Sequence, residues 1–213
     1  MKTYLFDFDG TLVDSMPKFV AAVLRILDEE NIKYGDDIIK IVTPLGVLGT
    51  AKYFITLGVK LSIEEIVKKM ETYMCDAYWY EIEAKEGVVE TLKALKSQGA
   101  DLNILTASPH VTLDRCLKRI GIYDLFNNVW SCDDFNTTKG DPEIYKMAAE
   151  KLGKRVDEIL FVDDNLNADK TAKAAGMRVS GIYDDSSKEM IDEIKEVADF
   201  YAYEFKEILD FDF

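Results

Sequence analysis

Short apolar runs alternate with longer helical segments through most of this chain, and that alternation constrains the fold more than any other feature. The apolar runs occupy residues 4–9, 102–106, 128–131, 159–164 and 177–182. Continuous apolar runs of this length are typical of strands that are buried on both faces. The segments at residues 88–98, 109–120 and 142–152 open on proline or end before glycine, as helices do. The pattern predicts an α/β fold with a doubly wound parallel sheet.

The stretch from about residue 14 to residue 84 interrupts this alternation. It has helical periodicity at residues 19–30, 51–57 and 63–80, and no convincing strand. The simplest explanation is a small helical domain inserted after the first strand. We therefore expect a core domain formed by residues 1–14 and 85–213, and a helical insert formed by residues 15–84. The acidic tail at residues 210–213 is expected to fray.

The chain is strongly acidic, with 26 basic and 40 acidic residues and a net charge of −14. Such a surface repels nucleic acid backbones and anionic membranes, so neither is expected as a partner. It also repels a free phosphate ester, so any phosphate site must be made locally positive. No run approaches the roughly 20 apolar residues that a membrane span requires. Because an aspartate also interrupts the N-terminal apolar stretch, which argues against a signal peptide, the expected localisation is cytoplasmic.

Cysteine and histidine are scarce, which limits the chemistry open to the chain. Cys75, Cys116 and Cys132 are widely spaced and odd in number, which predicts reduced thiols and neither a disulfide framework nor a zinc site. With His110 as the single histidine, a histidine-based metal site is excluded. A serine–histidine–aspartate triad is excluded too unless His110 serves it. We expect His110 to be an exposed residue in the first turn of its helix.

Several of the predicted strands end in residues that can carry chemistry, at the edge where open parallel sheets bind their ligands. These residues are Asp7, Asp9, Thr106, Asp163 and Asp164. Lys139 lies in the loop that leads to the helix at residue 142. Together they predict a cluster of carboxylates with one hydroxyl and one ammonium.

Four motifs at these positions resemble those of the haloacid dehalogenase-like hydrolase superfamily. Asp-Phe-Asp-Gly-Thr-Leu-Val-Asp-Ser at residues 7–15 resembles the signature loop, and Leu-Thr-Ala-Ser at residues 105–108 the second motif. Lys-Gly-Asp-Pro-Glu-Ile-Tyr at residues 139–145 resembles the third motif, and Phe-Val-Asp-Asp-Asn at residues 161–165 the fourth. The resemblance is to the branch of phosphoglycolate phosphatases and β-phosphoglucomutase-like proteins. It implies a Rossmann-like core with a helical cap between the first two motifs.

The resemblance also implies an activity, that of a phosphoric monoester hydrolase working through an aspartyl-phosphate. Asp7 would be the nucleophile, and Asp9 would act as general acid and then as general base. Lys139 would pair with both Asp7 and the phosphoryl group. The Thr106 hydroxyl, helped by the Ala107 amide, would donate to a phosphoryl oxygen.

A metal ion follows from the same cluster. Carboxylates gathered in one pocket repel one another unless a cation lies among them, and oxygen-only ligands favour Mg²⁺. The resemblance implies that Asp7 and Asp164 hold Mg²⁺ through their side chains and Asp9 through its backbone carbonyl, with Asp163 nearby. Together with Lys139, the ion would supply the positive charge that the chain otherwise lacks.

Two positions depart from the family pattern. Gly140 stands where a proline usually follows the lysine, and this loosens the loop without removing Lys139. Ala168 stands where a further acid or amide is common in the fourth motif. Asn167 and Asp169 are the candidates to replace it in the outer shell of the metal.

Three other functions compete with a phosphatase. A dehalogenase of the superfamily works without metal and lacks the second aspartate, so Asp9 argues against it. The intact motif residues Asp7, Asp9, Lys139 and Asp164 argue against a catalytically silent binding module. The alternative that remains is a phosphomutase acting on a sugar phosphate. Its cap should present a basic side chain to a second phosphate, and the loop at residues 43–52 offers only Lys52.

The expected substrate is a small phosphorylated metabolite, and the expected oligomeric state is a monomer or a weak dimer. Specificity in the family lies in the cap, so the polar residues of the insert are the candidates to contact the substrate. They are Lys18, Thr43, Thr50 and Lys52. These residues do not identify the substrate.

Overall fold

A six-stranded parallel sheet organises the computed structural model, which describes residues 2–42 and 45–213. The strands are β1 (Thr3–Phe6), β2 (Asp101–Thr106), β3 (Asn128–Ser131), β4 (Ile159–Asp163), β5 (Arg178–Ile182) and β6 (Phe200–Ala202). Their order in the sheet is β3-β2-β1-β4-β5-β6, and every neighbouring pair is parallel. This is a doubly wound order, so the predicted α/β, Rossmann-like class is confirmed.

Helices of two groups accompany the sheet. Those in the insert are α1 (Met16–Glu29), α2 (Ile38–Val42), α3 (Gly46–Thr56) and α4 (Ile63–Tyr80). Those that alternate with strands are α5 (Val88–Ser97), α6 (His110–Arg119), α7 (Pro142–Leu152), α8 (Leu166–Ala175) and α9 (Ile191–Val197). Within residues 2–42 and 45–213, no helix combines the length and hydropathy that a membrane span requires.

The strand order changes direction between β1 and β4, which are the two central strands. Phe6 lies opposite Val162 in their register, and both strands are buried along their whole length. Asp7 follows at once, and its backbone N–H donates to the Val162 carbonyl at 2.9 Å. In doubly wound sheets the ligand crevice opens at this switch point, outside the carboxyl ends of the strands. Asp7 and Asp163 are therefore placed at that crevice by topology alone.

Side-chain caps start the two helices that follow the third and fourth motifs. The Asp141 side chain accepts a hydrogen bond from the Glu143 backbone N–H at the start of α7. Asn165 does the same for α8, accepting from the N–H groups of Asn167 and Ala168. Each cap satisfies backbone donors that a helix leaves unpaired in its first turn. The motif residues just before them are thereby held between a strand and a rigid helix.

Contacts divide the chain into two compact units, one of residues 1–14 and 82–213 and the other of residues 15–81. The first contains the sheet and all four sequence motifs apart from Ser15. The second is helical and has a hydrophobic core of its own, in which Ile26, Phe54 and Ile66 are fully buried. A capping box joins Ser62 and Glu65 at the start of α4, the longest helix of this unit.

The C-terminal tail does not fray as predicted. The Phe213 ring packs edge-on against the buried Tyr4 ring, with centroids 5.1 Å apart. Phe211 stacks on Phe200 of β6 at 5.0 Å. The prediction was wrong because the acidic residues of the tail alternate with aromatic ones, and the aromatic rings find apolar surface on the sheet unit.

Candidate active site

Lys139 joins two carboxylates at the carboxyl end of the central strands. Its Nζ donates to Asp7 Oδ1 at 2.6 Å and to Asp163 Oδ2 at 2.7 Å. The Lys139 side chain is 16% exposed, and those of Asp7 and Asp163 are 5% and 0% exposed. A buried ammonium between two buried carboxylates is costly unless each charge is matched. The two carboxylates outnumber the single ammonium, so this buried group of charges has an excess of acids.

Burial and neighbouring charge shift the pKa values of this group. The pKa of Asp7 is raised to about 7, because burial, together with the charges of Asp163 and Asp9, outweighs the lowering effect of Lys139. For Lys139, burial works against the charged form, but the carboxylates of Asp163 and Asp7 outweigh it and hold its pKa well above the usual value. Lys139 is thus cationic at neutral pH. In the metal-free protein, the protonated and ionised forms of Asp7 are both populated at that pH.

Three carboxylates of the site could hold a metal ion. Asp7, Asp163 and Asp164 each offer an oxygen, and these oxygens all lie within 4.8 Å of one another. Burial, followed by the charges of Asp163 and Asp7, raises the pKa of Asp164 well above its usual value. A bound cation would relieve that repulsion, and a set of carboxylate oxygens suits Mg²⁺.

Asp169 in α8 gives a second indication that positive charge is needed here. Its side chain is fully buried, and neither carboxylate oxygen has a hydrogen-bond partner among the described residues. Burial, together with the charges of Asp163 and Asp164, raises the pKa of Asp169 well above its usual value. A buried carboxylate without partners is costly. The residues present therefore fit a divalent cation with its bound waters.

The signature loop turns sharply after Asp9 to approach Asp164. Gly10 has φ +78°, and a Cβ at this position would lie 2.6 Å from Asp164 Oδ2. Only glycine fits both the left-handed backbone and this close approach. The next residue, Thr11, is buried and donates from Oγ1 to Asp164 Oδ1 at 3.0 Å. The first and fourth motifs are thus fitted to each other through the Asp164 carboxylate.

The second motif supplies a hydroxyl to Asp9. Ser108 Oγ donates to Asp9 Oδ2, and the Ser108 backbone N–H donates to Thr106 Oγ1 at 3.1 Å. Thr106 is buried at the end of β2, whereas Ala107 between them is exposed. The structure thus connects Asp9 to the second motif through Ser108, a residue that was not predicted to belong to the site.

Tyr145 links the third and fourth motifs behind the site. Its hydroxyl lies 3.0 Å from the Lys139 carbonyl oxygen and 3.2 Å from the Ala168 carbonyl oxygen. Both positions that depart from the family pattern, Gly140 and Ala168, adjoin these contacts. A buried tyrosine hydroxyl can therefore fix the backbone of Lys139 even though glycine follows it.

Lys85 makes a contact with the signature loop that the sequence pattern did not reveal. Its Nζ donates to the Gly10 carbonyl oxygen at 2.6 Å, to the Tyr183 carbonyl oxygen at 2.7 Å and to Asp184 Oδ2 at 2.9 Å. These partners lie 75 to 99 residues away from Lys85 in the chain. A lysine before Glu-Gly-Val carries no local signal for such a role, so only the folded structure identifies it.

Two of the four polar residues predicted to contact the substrate form contacts within the helical unit. Lys18 forms an ion pair with Glu81 at 2.7 Å. The buried Thr50 donates from Oγ1 to the Val42 carbonyl at 3.2 Å. Lys52 is exposed, and Thr43 lies outside the described residues. These residues therefore stay predictions as substrate contacts.

His110 bridges two acids beside the second motif. Its Nδ1 lies 2.8 Å from Asp114 Oδ1 and its Nε2 lies 2.8 Å from Asp134 Oδ2. The prediction of a first-turn residue is confirmed, but the side chain is only 41% exposed and is held by both carboxylates. Hydrogen bonds to Asp114 and then Asp134 raise the pKa of His110 above 6.5. The imidazole is a link between α6 and the segment that leads to Lys139.

We expect the His110 imidazole to titrate with a midpoint above 6.5. Because the folded pKa is raised, its stabilising contribution is fully present below pH of about 6.5 and is lost as the pH rises through the folded pKa. Since His110 is the single histidine, its ring protons can be followed by NMR without assignment. Asp114→Asn and Asp134→Asn should each lower the midpoint. A wild-type midpoint at or below 6.5 would contradict the bridged geometry.

Sequence comparisons relate the chain to a family of hydrolases. A family model described as haloacid dehalogenase-like hydrolase matches residues 4–182. The pyrophosphatase PpaX of Bacillus velezensis is 30% identical over 179 residues, covering 84% of this chain and 81% of that protein. The phosphoglycolate phosphatase of Salmonella typhi is 30% identical over 201 residues, covering 83% of this chain and 79% of that protein.

A structural comparison agrees with the sequence comparisons on the fold. The crystal structure of CbbY from Rhodobacter sphaeroides in complex with phosphate superimposes with a TM-score of 0.75. The alignment covers 98% of this chain and 96% of that chain, at 19% sequence identity. At that identity the similarity establishes a shared architecture.

Proposed function

Because this chain belongs to the haloacid dehalogenase-like hydrolase family, we propose that it is a Mg²⁺-dependent phosphatase that hydrolyses a small phosphate monoester through an aspartyl-phosphate on Asp7. One observation carries the proposal. The buried Asp7 carboxylate is paired with Lys139 inside a cluster of acids at the switch point of the sheet. A nucleophile, a fixed cation and the ligands for a second cation are thus concentrated at one position.

Asp7 is the proposed nucleophile because its carboxylate is buried and held in a fixed position. Lys139 fixes Oδ1, and the backbone N–H of Asp7 is tied to β4. Such positioning converts attack on a bound phosphoryl group into a reaction between preoriented groups. The Lys139 ammonium offsets negative charge on the nucleophile and on the incoming phosphoryl oxygens, which would otherwise repel each other.

Mg²⁺ held by Asp7, Asp164 and the Asp9 backbone carbonyl, with Asp163 beside them, would neutralise charge on the phosphoryl oxygens when bound. The chain itself supplies the remaining parts. Asp163 Oδ2 is the second carboxylate oxygen that accepts a hydrogen bond from Lys139 Nζ. Its other oxygen, Oδ1, accepts from the Asn165 backbone N–H at 2.7 Å, which fixes the loop before α8.

Asp9 is the proposed general acid and base. An alkoxide leaving group is a strong base, so it needs a proton as its bond to phosphorus breaks, and the same carboxylate can then take a proton from the attacking water. Ser108 orients the Asp9 carboxylate through Oδ2. A phosphate leaving group, as in pyrophosphate, needs no such proton. As general acid Asp9 would therefore serve a monoester more than a phosphoanhydride, whereas as general base it would serve both; a relative named for each activity is similar to this chain.

The helical unit of residues 15–81 is proposed to act as a cap, and this favours a small substrate. A helical insert placed directly after the nucleophile strand can exclude water and bulky molecules during the reaction. The net charge of −14 adds a second reason, because it disfavours extended polyanions such as nucleic acids.

We expect kcat/KM for small sugar or glycolate-type phosphates to exceed that for pyrophosphate, phosphopeptides and oligonucleotide 5′-phosphates by at least about tenfold, as a capped site for monoesters requires. The assay measures inorganic phosphate release across the panel with Mg²⁺ present. Transfer of the phosphoryl group to a second sugar phosphate, without its release, would instead identify the phosphomutase. If a macromolecular phosphate were the best substrate, the proposed role of the helical unit as a cap would be wrong, but the proposed role of Asp7 would be unaffected.

Asp9→Asn provides the control that separates monoester chemistry from anhydride chemistry. Loss of a general acid should lower kcat/KM for an alkyl phosphate by about 10²–10⁴-fold. The same variant should lose much less kcat/KM towards p-nitrophenyl phosphate, whose leaving group departs without a proton. Equal losses on both substrates would show that Asp9 does not protonate the leaving group. The control variant Asp133→Asn removes an exposed carboxylate of the same unit, and it should leave kcat/KM for both substrates unchanged.

A further inference from the structure

We propose that Lys85 is a positioning residue for the active site, holding the signature loop in the geometry that binds the metal. This inference rests on the proposed function, and it assigns a role to a lysine outside all four motifs. The observation behind it is the convergence of three segments on one ammonium. They are the turn of the signature loop at Gly10, the end of β5 at Tyr183 and Asp184, and the start of α5, which Lys85 itself precedes.

The ammonium of Lys85 that contacts Gly10 is also held by a partly buried ion pair with Asp184. Its side chain is 20% exposed, and that of its partner Asp184 is 7% exposed. Burial by itself raises the pKa of Asp184, but hydrogen bonds from Ser186 and Lys85 more than offset this and lower it. Asp184 is therefore a carboxylate at neutral pH, and a partly buried ion pair of this kind is stronger than one at the surface.

The backbone reinforces the same attachment. The Lys85 N–H donates to the Leu12 carbonyl at 3.0 Å, and Val13 forms an antiparallel bridge with Ala84. The strand-like contact fixes the far side of the turn, whereas the Lys85 side chain fixes its tip at the Gly10 carbonyl. Without the side chain, the Gly10 carbonyl would lose this partner, and the turn would keep its internal hydrogen bonds, such as that from the Gly10 N–H to the Val13 carbonyl at 3.0 Å.

The tip of the turn controls the metal ligands because it is in contact with Asp164. Gly10 lies so close that a Cβ would collide with the Asp164 carboxylate, and Thr11 donates to the same carboxylate. A displacement of the Gly10 carbonyl would therefore move Asp164 on one side and the backbone carbonyl of Asp9 on the other. Lys85 acts on the metal site through these neighbours, in the way that outer residues orient metal ligands.

The test is Lys85→Met, which keeps the length of the side chain and removes its charge. Loss of an outer partner typically weakens metal affinity by about 10–100-fold. We expect Mg²⁺ affinity, measured by calorimetry on the metal-free protein, to fall by at least about tenfold. We expect kcat to fall similarly at fixed Mg²⁺, with KM changed by less than about threefold, because the phosphoryl-binding groups Thr106 and Lys139 are not displaced. The matched control is Lys188→Met, which removes an exposed lysine paired with Asp185 and should change neither quantity.

Asp184→Asn decides the matter if Lys85→Met does not fold. It keeps Lys85 but weakens its anchor, and it should reduce Mg²⁺ affinity by at least about threefold, a smaller effect than loss of the ammonium. A folded Lys85→Met protein with Mg²⁺ affinity within twofold of wild type would overturn the inference, as would unchanged affinity in Asp184→Asn. Because these measurements need no turnover, they are distinguishable from a failure of the proposed function, which would appear as a wild-type protein without phosphatase activity.

Discussion

Asp7→Asn is expected to lower kcat by more than the roughly 10²–10⁴-fold that loss of acid–base help costs, while the protein stays folded. An amide is almost isosteric with the carboxylate but cannot attack phosphorus. Lys139 would keep Asp163 as a partner, so the variant does not leave the ammonium unpaired. The amide also removes a buried group whose pKa is raised to about 7, and with it part of the repulsion from Asp163 and Asp9.

The measurement is single-turnover and steady-state phosphate release, together with a thermal melt in chelator. We expect the melting temperature of Asp7→Asn to equal or exceed that of wild type under those conditions, because less negative charge is buried. Asp133→Asn, which changes an exposed aspartate of the same unit, should retain full activity. A variant of Asp7 that keeps a tenth of wild-type activity would be incompatible with a covalent role.

Removal of the metal is expected to have the second-largest effect. Activity should be lost in excess chelator and restored by Mg²⁺ or Mn²⁺, and Asp164→Ala should raise the Mg²⁺ concentration for half-maximal activity by about 100-fold or more, beyond the effect of losing an outer partner. Asp164 offers one of the three clustered carboxylate oxygens. Asp185→Ala, an exposed acid beyond β5, is the matched control and should leave the requirement unchanged.

The same metal should stabilise the fold, and more so at high pH. Asp7 has a folded pKa raised to about 7, and burial also raises the pKa values of Asp164 and Asp169 well above their usual range. Raised carboxylate pKa values give stability that is present below pH of about 4 and is lost as the pH rises through the folded values. The metal replaces those protons, so the increase in melting temperature on adding Mg²⁺ should be larger at pH 8 than at pH 5.5. Full activity in chelator, or no stabilisation at pH 8, would contradict a metal site here.

Much of the fold could be predicted because its signals are local. The apolar runs that predicted strands coincide with β1 to β5, and the family match confirms the predicted family, fold and hydrolase class. Strand ends were less accurate, since β1 stops at Phe6 and the chain then turns at Gly10. The short β6 was missed, because Phe200–Ala202 gives too brief a pattern to separate from a loop.

The parts of the site that could not be predicted depend on partners distant in sequence. Lys85 contacts residues 75 to 99 positions away, and Ser108 reaches an aspartate 99 positions away. Asp169 belongs to the periodic pattern of a helix, and only the packing of α8 shows that its carboxylate is buried without a partner. Periodicity reports which face of an element is apolar, whereas these contacts depend on how the elements are assembled.

The central claim is that the phosphoryl group is carried by Asp7, and chemical trapping tests it most directly. The enzyme is mixed with substrate and Mg²⁺, quenched in acid within the first turnover, and reduced with borohydride, which converts an acyl-phosphate to an alcohol. Peptide mass spectrometry should then find homoserine at position 7, in amounts that depend on both substrate and metal. Homoserine absent at position 7 during active turnover, or present at another aspartate, would contradict the account.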